Sequence, residues 1–513
     1  MQRKSSENEN HTPKGENKSD LGVIICEGNT PNHLNFNFQI AEESEVKVGE
    51  YVEVPLGLSV LVGRVSTIQA YNEYYTDPEF VKYHITRGIT VDSRFPTRSS
   101  RWRVARVKVV GLVKNERILP PEDAPEPGNI VYRADTKLLN RFLGLPSDGL
   151  YIGLMRGNNA IKVLLDPDKL VRHHVAVLGA TGSGKSYAVG VLIEELLEKN
   201  LPVLVIDPHG EYNTFRQPNK NPEEIERSPE FGITPKGYRA VSYFPKGLGK
   251  NGGSELTINM SDLDAYAISE ICGMSDVQSD LLFLAMKRLS VDKQSYDPET
   301  LTEAVEDAAE EWKFQKNTVL STVRRIMVLR ELGIFGEGFN TSDIVKPGVL
   351  SIIDLSEDMD ERVRRIIAGV ALQKVFQARK RGTIPPALVV VEESHRFAPQ
   401  ETNTYSRRQM RKIAREGRKF GLGLCITSQR IAGLDKDILS QCGTKIILRI
   451  EGNYDLEYLK PYLDYSSTDD IGRIPLLPNG IAIASGVATQ HPIVTEIRIR
   501  RTQHGGTGTK LIY

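Results

Sequence analysis

Three regimes of hydrophobic patterning follow one another along this chain. From Leu21 to about Asn115 apolar positions come in short alternating or β-branched runs: Gly22–Cys26, Leu34–Ile40, Tyr51–Val54, Ser59–Ile68 and Trp102–Lys114. Turns such as Val48-Gly-Glu and Pro55-Leu-Gly part them. This pattern predicts a small all-β barrel or sandwich over residues 21–119. A polar and aromatic excursion, Tyr71–Ser100, reads as a surface loop or insertion between two of the strands. Pro120–Gly128 (P-P-E-D-A-P-E-P-G) has the composition of a stiff linker and marks the expected boundary. Within the stretch 120–170, Asn129–Ala134, Leu150–Arg156 and Ile161–Leu165 are then predicted as strands leading into the next domain.

Beyond residue 171 the period changes. Short, wholly apolar runs (Val175–Leu178, Pro202–Ile206, Val349–Leu355, Ala387–Val391, Gly421–Ile426) suit strands buried on both faces. Between them lie helical patterns, such as Val189, Leu192, Ile193, Leu196 and Leu197 in Tyr187–Lys199, and Ile366, Val370, Leu372 and Val375 in Arg362–Arg379. Strands alternating with helices predict an α/β domain with a parallel sheet over 171–502. Residues 263–345 break the alternation: several amphipathic patterns without a strand signal indicate an inserted helical subdomain. A last β stretch follows at Lys445–Arg449, Gly480–Ser485 and Pro492–Ile499. The two ends fit none of these regimes. Residues 1–20 are polar and aperiodic, as in a disordered tail, and 503–513 form a glycine-rich arm ending in the apolar Leu-Ile-Tyr.

Composition removes some function classes. Lys+Arg and Asp+Glu are equal at 66 each over 513 residues, so any polyanionic partner must be met by local patches. The four cysteines, Cys26, Cys272, Cys425 and Cys442, form no C-x-x-C pair, which argues against a disulfide framework and a zinc site and fits a reducing cytoplasm. No run approaches the about 18 apolar residues of a membrane span, and Met1–Asp20 lacks the apolar segment of a secretory signal.

The chemistry centres on one stretch. After the predicted strand Val175–Leu178 comes Gly179-Ala180-Thr181-Gly182-Ser183-Gly184-Lys185-Ser186, matching G-x-x-x-x-G-K-[ST], and Tyr187 continues into a helix. Strand, loop and helix are the context a phosphate-binding loop requires. Its glycines let backbone N–H groups curl around phosphates, Lys185 brings a point charge to the β/γ-phosphates, and the Ser186 hydroxyl can ligand Mg²⁺.

Downstream strand tips supply acids. Ala387–Val391 ends in Glu392-Glu393-Ser-His395, and metal-assisted phosphoryl transfer needs one acid near the Mg²⁺ shell and one polarising the attacking water. Glu393 is assigned as the base and Glu392 to the metal. Pro202–Ile206 ends in Asp207, for which metal-water contact and a turn cap are both open. Gln429, at the end of Gly421–Ser428, either senses the γ-phosphate or caps the next helix. Arg407–Lys419 holds seven basic residues and a single acid at helical steps, either a solvated face or a source of an arginine reaching a neighbouring subunit's site. The basic loop carrying Lys246 and Lys250 is a candidate for contact with nucleic-acid phosphates. The only N-K-x-D, Asn17–Asp20, precedes the loop and cannot serve guanine recognition in the usual chain order.

Taken together, H-H-V-A-V-L-G-A-T-G-S-G-K-S, D-P-H-G-E-Y (Asp207–Tyr212), V-V-V-E-E-S-H-R-F-A-P, A-R-E-G-R-K-F-G-L-G and T-S-Q-R (Thr427–Arg430) resemble, in order and spacing, the HerA family of DNA-translocating ATPases within the FtsK-like branch of P-loop NTPases. The resemblance implies a RecA-like P-loop ATPase domain behind a small N-terminal β-barrel. It also implies a homohexameric ring that hydrolyses ATP with Mg²⁺ at subunit interfaces, moves double-stranded DNA and works with a NurA-type nuclease in recombinational repair. Carried over by position, Lys185 and Ser186 bind phosphate and Mg²⁺, Glu393 is the catalytic acid position, Gln429 the strand-tip polar position, and Arg418, then Arg415, the arginine acting in trans. Glu392 departs from the Asp common in such ATPases. The competing readings are a conjugation- or secretion-type motor ATPase and a nucleotide-gated ring scaffold that loads a partner.

Overall fold

Six of the alternating runs close on one another. In the computed structural model, which describes residues 20–27, 30–248, 253–291, 296–463, 468–489 and 491–506, the N-terminal strands are β1 (Asp20–Ile25), β2 (Asn35–Ile40), β3 (Tyr51–Leu56), β4 (Ser59–Asn72), β5 (Arg101–Lys114), β6 (Arg117–Leu119) and β7 (Ile130–Arg133). They pair in the order β2-β1-β7-β3-β4-β5-β6, and a further β2–β5 pairing shuts the barrel, leaving β6 outside the ring. Phe36, Phe38, Val52, Val54, Leu61 and Val107 fill its core, as period-2 alternation on a closed sheet requires.

β7 corrects the sequence reading. Predicted as a strand leading into the phosphate loop, it instead pairs antiparallel with β1 and β3. The barrel would otherwise present two unpaired edges at this point, and β7 satisfies both. The barrel unit accordingly continues to Phe142, past the proline-rich stretch taken as its boundary. The Tyr71–Ser100 excursion carries its own helix, Pro78–Ile85, with Asp77 as N-cap accepting from the Glu79 N–H.

The second unit is a twelve-stranded sheet. Its strands are β8 (Leu150–Met155), β9 (Asn158–Leu165), β10 (Val175–Leu178), β11 (Val203–Asp207), β12 (Ala240–Pro245), β13 (Ser254–Leu256), β14 (Leu350–Asp354), β15 (Ala387–Val391), β16 (Leu422–Ser428), β17 (Thr444–Ile447), β18 (Ile481–Gly486) and β19 (Ile493–Ile497). The order is β13-β12-β14-β11-β15-β16-β10-β17-β18-β19-β8-β9. From β13 to β17 neighbours run parallel, and β18, β19 and β8 add antiparallel pairs. The Val/Ile-rich runs of β10, β11, β14 and β15 are buried at every position, which their lack of alternation demands. Helices Ala265–Cys272, Asp276–Val291, Pro298–Glu311 and Lys316–Met327 form the helical subdomain.

This strand order sets the carboxyl ends of β11, β15, β16 and β10 side by side, where open α/β sheets bind ligands. Among the described residues no helix is long and apolar enough to cross a membrane. The tail up to residue 19, Lys250 and residues 507–513 lie outside the described residues. Residues 503–506, read from composition as the start of a flexible arm, are instead bonded to the rest of the chain: the Thr214 hydroxyl donates to the Gln503 carbonyl at 2.7 Å and the Gln503 N–H to the Gln217 carbonyl at 2.9 Å.

Candidate nucleotide site

The loop between β10 and the Lys185–Glu198 helix is built on residues that only glycine fills easily. Gly182 and Gly184 have φ of +74° and +99°, a region closed to most side chains. The loop is braced from outside: the Ala180 N–H bonds the Arg449 carbonyl at 2.7 Å, and the Gly480 N–H bonds the Ser183 carbonyl at 3.2 Å. First-turn N–H groups of a helix have no carbonyl partner within it, so those of Lys185, Ser186 and Tyr187 are available to an anion. A cavity of about 780 Å³ lies against the loop, lined also by Glu393, Gln429, Asn479 and His504.

Lys185 does not wait free in that cavity. Its Nζ donates to Glu393 Oε1 at 2.5 Å, with both side chains under a tenth exposed. The two site residues assigned from motifs about two hundred positions apart are thus brought into direct contact. Glu393 is also strained: it follows β15 with φ 47° and ψ 50°, a left-handed conformation unusual for a non-glycine residue. Such strain persists only where its surroundings fix it, and it clusters at working sites. Here the Glu393 N–H donates to Thr427 Oγ1 at 3.1 Å. The second carboxylate oxygen, Oε2, is buried without a hydrogen-bond donor, 3.2 Å from His395 Nδ1. That ring nitrogen meets Ser428 Oγ at 3.1 Å. Burial lowers the His395 pKa below the ordinary value.

Glu392, assigned to the metal from the sequence, turns the other way. Its carboxylate is 3% exposed, with one oxygen accepting from the Tyr212 hydroxyl and the other from the Thr427 hydroxyl. Burial raises its pKa, opposed by the Lys185 charge and the two hydroxyls. Both of its oxygens are thus engaged within the chain, and Glu392, unlike Glu393, is not among the residues that line the cavity. For Asp207, open between metal-water contact and a turn cap, the hydrogen bonds are those of a turn. Fully buried, it accepts from the N–H groups of His209, Gly210 and Tyr212, so it shapes the turn after β11, and burial pushes its pKa up to about 7. Among the described residues no cluster of His, Cys, Asp and Glu could hold a metal by itself.

Gln429 stands over the loop, its side-chain carbonyl accepting from the Thr181 hydroxyl. The basic helix, Tyr405–Phe420, divides along its length. Arg407 and Arg411 converge on Asp435, and Arg411 and Arg415 on Asp437. Although burial pushes the Asp435 carboxyl up, Arg411, the Ile438 N–H and Arg407 together hold it below its usual range. Arg418, one turn further on, is exposed and has no ion pair among the described residues. Lys246 is exposed after β12.

Sequence reasoning gave no task to Tyr212, Thr427 and His395, although all three lie inside quoted motifs; only the fold reveals which acid each one touches. His504 lay in a stretch read as tail.

Known proteins place this geometry. Residues 150–375 match the family model described as "Helicase HerA, central domain". The DNA double-strand break repair helicase HerA of Pyrococcus furiosus is 32% identical over 465 residues, covering 79% of each chain. That of Sulfolobus acidocaldarius is 30% identical over 414 residues, 77% of each. In fold, VirB4 of Thermoanaerobacter pseudethanolicus superposes with a TM-score of 0.51 at 16% identity, covering 69% of this chain and 97% of that one. The barrel, the parallel sheet with its phosphate loop, and these relatives agree: the chain is a helicase-class ATPase and belongs to the HerA family.

Proposed function

We propose that this protein is an ATP-driven translocase of double-stranded DNA, working as a hexameric ring with a NurA-type nuclease at DNA ends. The observation that carries the reading is the Lys185–Glu393 contact at 2.5 Å, which joins a phosphate-binding cation to a strained, buried carboxylate. The relatives named as DNA repair helicases support the substrate.

In this reading the triphosphate enters along the loop and its β/γ oxygens take over Lys185, a stronger partner for the cation than one carboxylate oxygen. Glu393 is thereby released to orient and deprotonate the attacking water. Thr181 and Gln429 stand at the γ-phosphate end. The Ser186 hydroxyl would hold Mg²⁺, which when bound would supply neutralisation of phosphate charge. Arg418 is the arginine we assign to the neighbouring subunit's site, supported by its exposure and the lack of an ion pair to it among the described residues, while Arg407, Arg411 and Arg415 are committed to Asp435 and Asp437. Lys246 is assigned to DNA phosphates on its exposure alone.

The test has two arms. Glu393→Gln should retain ATP binding while DNA-stimulated hydrolysis falls by orders of magnitude; turnover near wild type would remove Glu393 as the base. Mixing Arg418→Ala chains with Lys185→Ala chains should restore part of the activity that each lacks alone. If no ratio restores any, Arg418 does not act across an interface.

A further inference from the structure

The nucleotide cavity has two ends, and the loop accounts for one. Glu393, Gln429, Gly182 and Gly184 line that end. Beyond Tyr187 the wall passes to Ile497, the last residue of β19, and to Ile499, His504 and Gly506 of the segment that follows it. We propose that residues 498–506 form the nucleoside half of the site, with the His504 ring as the surface on which the base or ribose packs. This rests on the phosphate-loop reading above and adds its other half.

The segment is fastened far more firmly than a tail needs to be. Arg498 is fully buried and donates to the Tyr151 carbonyl (3.0 Å), Glu194 Oε2 (2.9 Å), the Ile499 carbonyl (2.8 Å) and Glu195 Oε1 (2.7 Å). Glu194 Oε1 accepts from both the N–H and the hydroxyl of Thr502. Asn219 closes the other side, donating from Nδ2 to the Arg500 carbonyl at 3.0 Å and from its N–H to the Arg501 carbonyl at 2.9 Å. The two glutamates belong to the same helix that begins with Lys185, so the lattice ties the segment rigidly to the phosphate loop.

The next arginine aims the segment. Arg500, 1% exposed, lies across the loop helix at Gly190, where a Cβ would come 2.6 Å from its Cζ. A mid-helix glycine costs about 1 kcal/mol relative to alanine, and here it admits the guanidinium. Arg500 also lies over the Phe215 ring at 4.6 Å and gives its N–H to the Tyr187 hydroxyl at 2.8 Å. Tyr187 in turn donates to Glu224 Oε2 at 2.9 Å. The Tyr187 ring meets His504 edge to face, with centroids 5.5 Å apart at 74°. Arg500 donates to His504 Nδ1 at 3.1 Å, which fixes the ring as the neutral Nε2–H form, and burial with the Arg500 charge lowers its pKa to about 4. A neutral ring, oriented from two sides and lining the cavity, is suited to stacking.

Calorimetric titration of the full chain with ADP and, separately, with inorganic pyrophosphate separates the two halves. His504→Ala should weaken ADP binding about tenfold, the scale of one base–aromatic stack, and leave pyrophosphate binding unchanged. His504→Phe, which keeps a ring, should stay within about twofold of wild type. Lys185→Ala should weaken both ligands. Unchanged ADP affinity in His504→Ala, with Lys185→Ala still impaired, sinks the nucleoside wall and spares the phosphate loop. Equal loss of ADP and pyrophosphate in His504→Ala also overturns the proposal, because it marks a distorted loop. Intact ADP binding in Lys185→Ala would instead overturn the reading beneath it.

Discussion

Two buried clusters of opposite charge sit on one helix, Lys185–Glu198, and they are built to opposite ends. At its first turn Lys185 holds Glu393 through one hydrogen bond, while the other oxygen of Glu393 has no donor. Near its last turn every oxygen of Glu194 and Glu195 is satisfied by Arg498, Arg501, Thr502 or the Tyr151 N–H. Both ends carry charge of the sign that the helix dipole disfavours, a cation at the N-terminus and anions toward the C-terminus, and both need a partner. The difference is in completeness. A saturated network stays as it is, whereas a pair with one bond and one orphaned oxygen is stabilised by exchanging partners. The first-turn pair is therefore the moving part and the last-turn lattice the fixed one.

The strongest way to break this contrast is to remove the centre of the fixed cluster. Arg498→Leu leaves two carboxylates buried without the guanidinium between them and with two of their seven hydrogen bonds gone, and the cost expected is about 3–5 kcal/mol. Urea unfolding should show it as a large fall in midpoint, with Arg498→Lys intermediate because an ammonium cannot span both carboxylates and the Tyr151 carbonyl. A loss under about 1 kcal/mol would mean that water replaces the guanidinium and the lattice is not rigid.

A third buried group sharpens the rule that burial without a carboxylate partner forces neutrality. His174, after the short helix that precedes β10, donates from Nε2 to the Ala414 carbonyl at 3.0 Å and accepts the Leu424 N–H at Nδ1 at 3.0 Å. Burial lowers its pKa to about 4 from an ordinary 6.5. The unfolded chain therefore binds the proton first: stability is complete above about pH 6.5 and declines as pH falls toward 4. Between pH 6.5 and 5 the decline from this group is about 2 kcal/mol, at about 1.4 kcal/mol per pH unit. His174→Gln should be less stable at neutral pH yet lose that increment of acid sensitivity when denaturant midpoints at pH 7 and pH 5 are compared. An unchanged difference between the two pH values would assign the acid sensitivity to other groups.

The two clusters were not equally legible in the sequence, and the reason is distance along the chain. The phosphate loop is contiguous, so its glycines, Lys185 and Ser186 are readable from residue type alone. Glu393 follows from an apolar run ending in acids, but the sequence could not say that Glu393 faces Lys185 while Glu392 turns under the loop to Tyr212 and Thr427. The Arg498–Glu194 lattice joins residues 304 positions apart, one at the end of the last predicted β stretch and one in the loop helix, and neither local pattern names the other as its partner. β7 was misplaced for a related reason: four residues carry too little periodicity to reveal that both their neighbours are barrel strands. Local chemistry could be read directly; pairings made by the fold could not.

The smallest expected effect tests the contrast most directly. Replacing only one member of the first-turn pair would strand a buried charge, so a single variant measures desolvation as much as the pair's worth. The double variant Lys185→Met, Glu393→Gln removes both charges at near-constant volume. Exchanging a buried ion pair for neutral side chains is commonly neutral or stabilising. This pair starts with an unsatisfied oxygen and a lysine on the wrong pole of the helix dipole, so the double variant should unfold within about 1 kcal/mol of wild type, or above it. No such exchange is open to the last-turn lattice, whose carboxylates also cap the backbone N–H groups of Tyr151, Arg501 and Thr502. If the double variant instead loses as much as Arg498→Leu, the first-turn pair is part of the frame, and Glu393 is held by Lys185 for stability rather than kept in readiness for a phosphate.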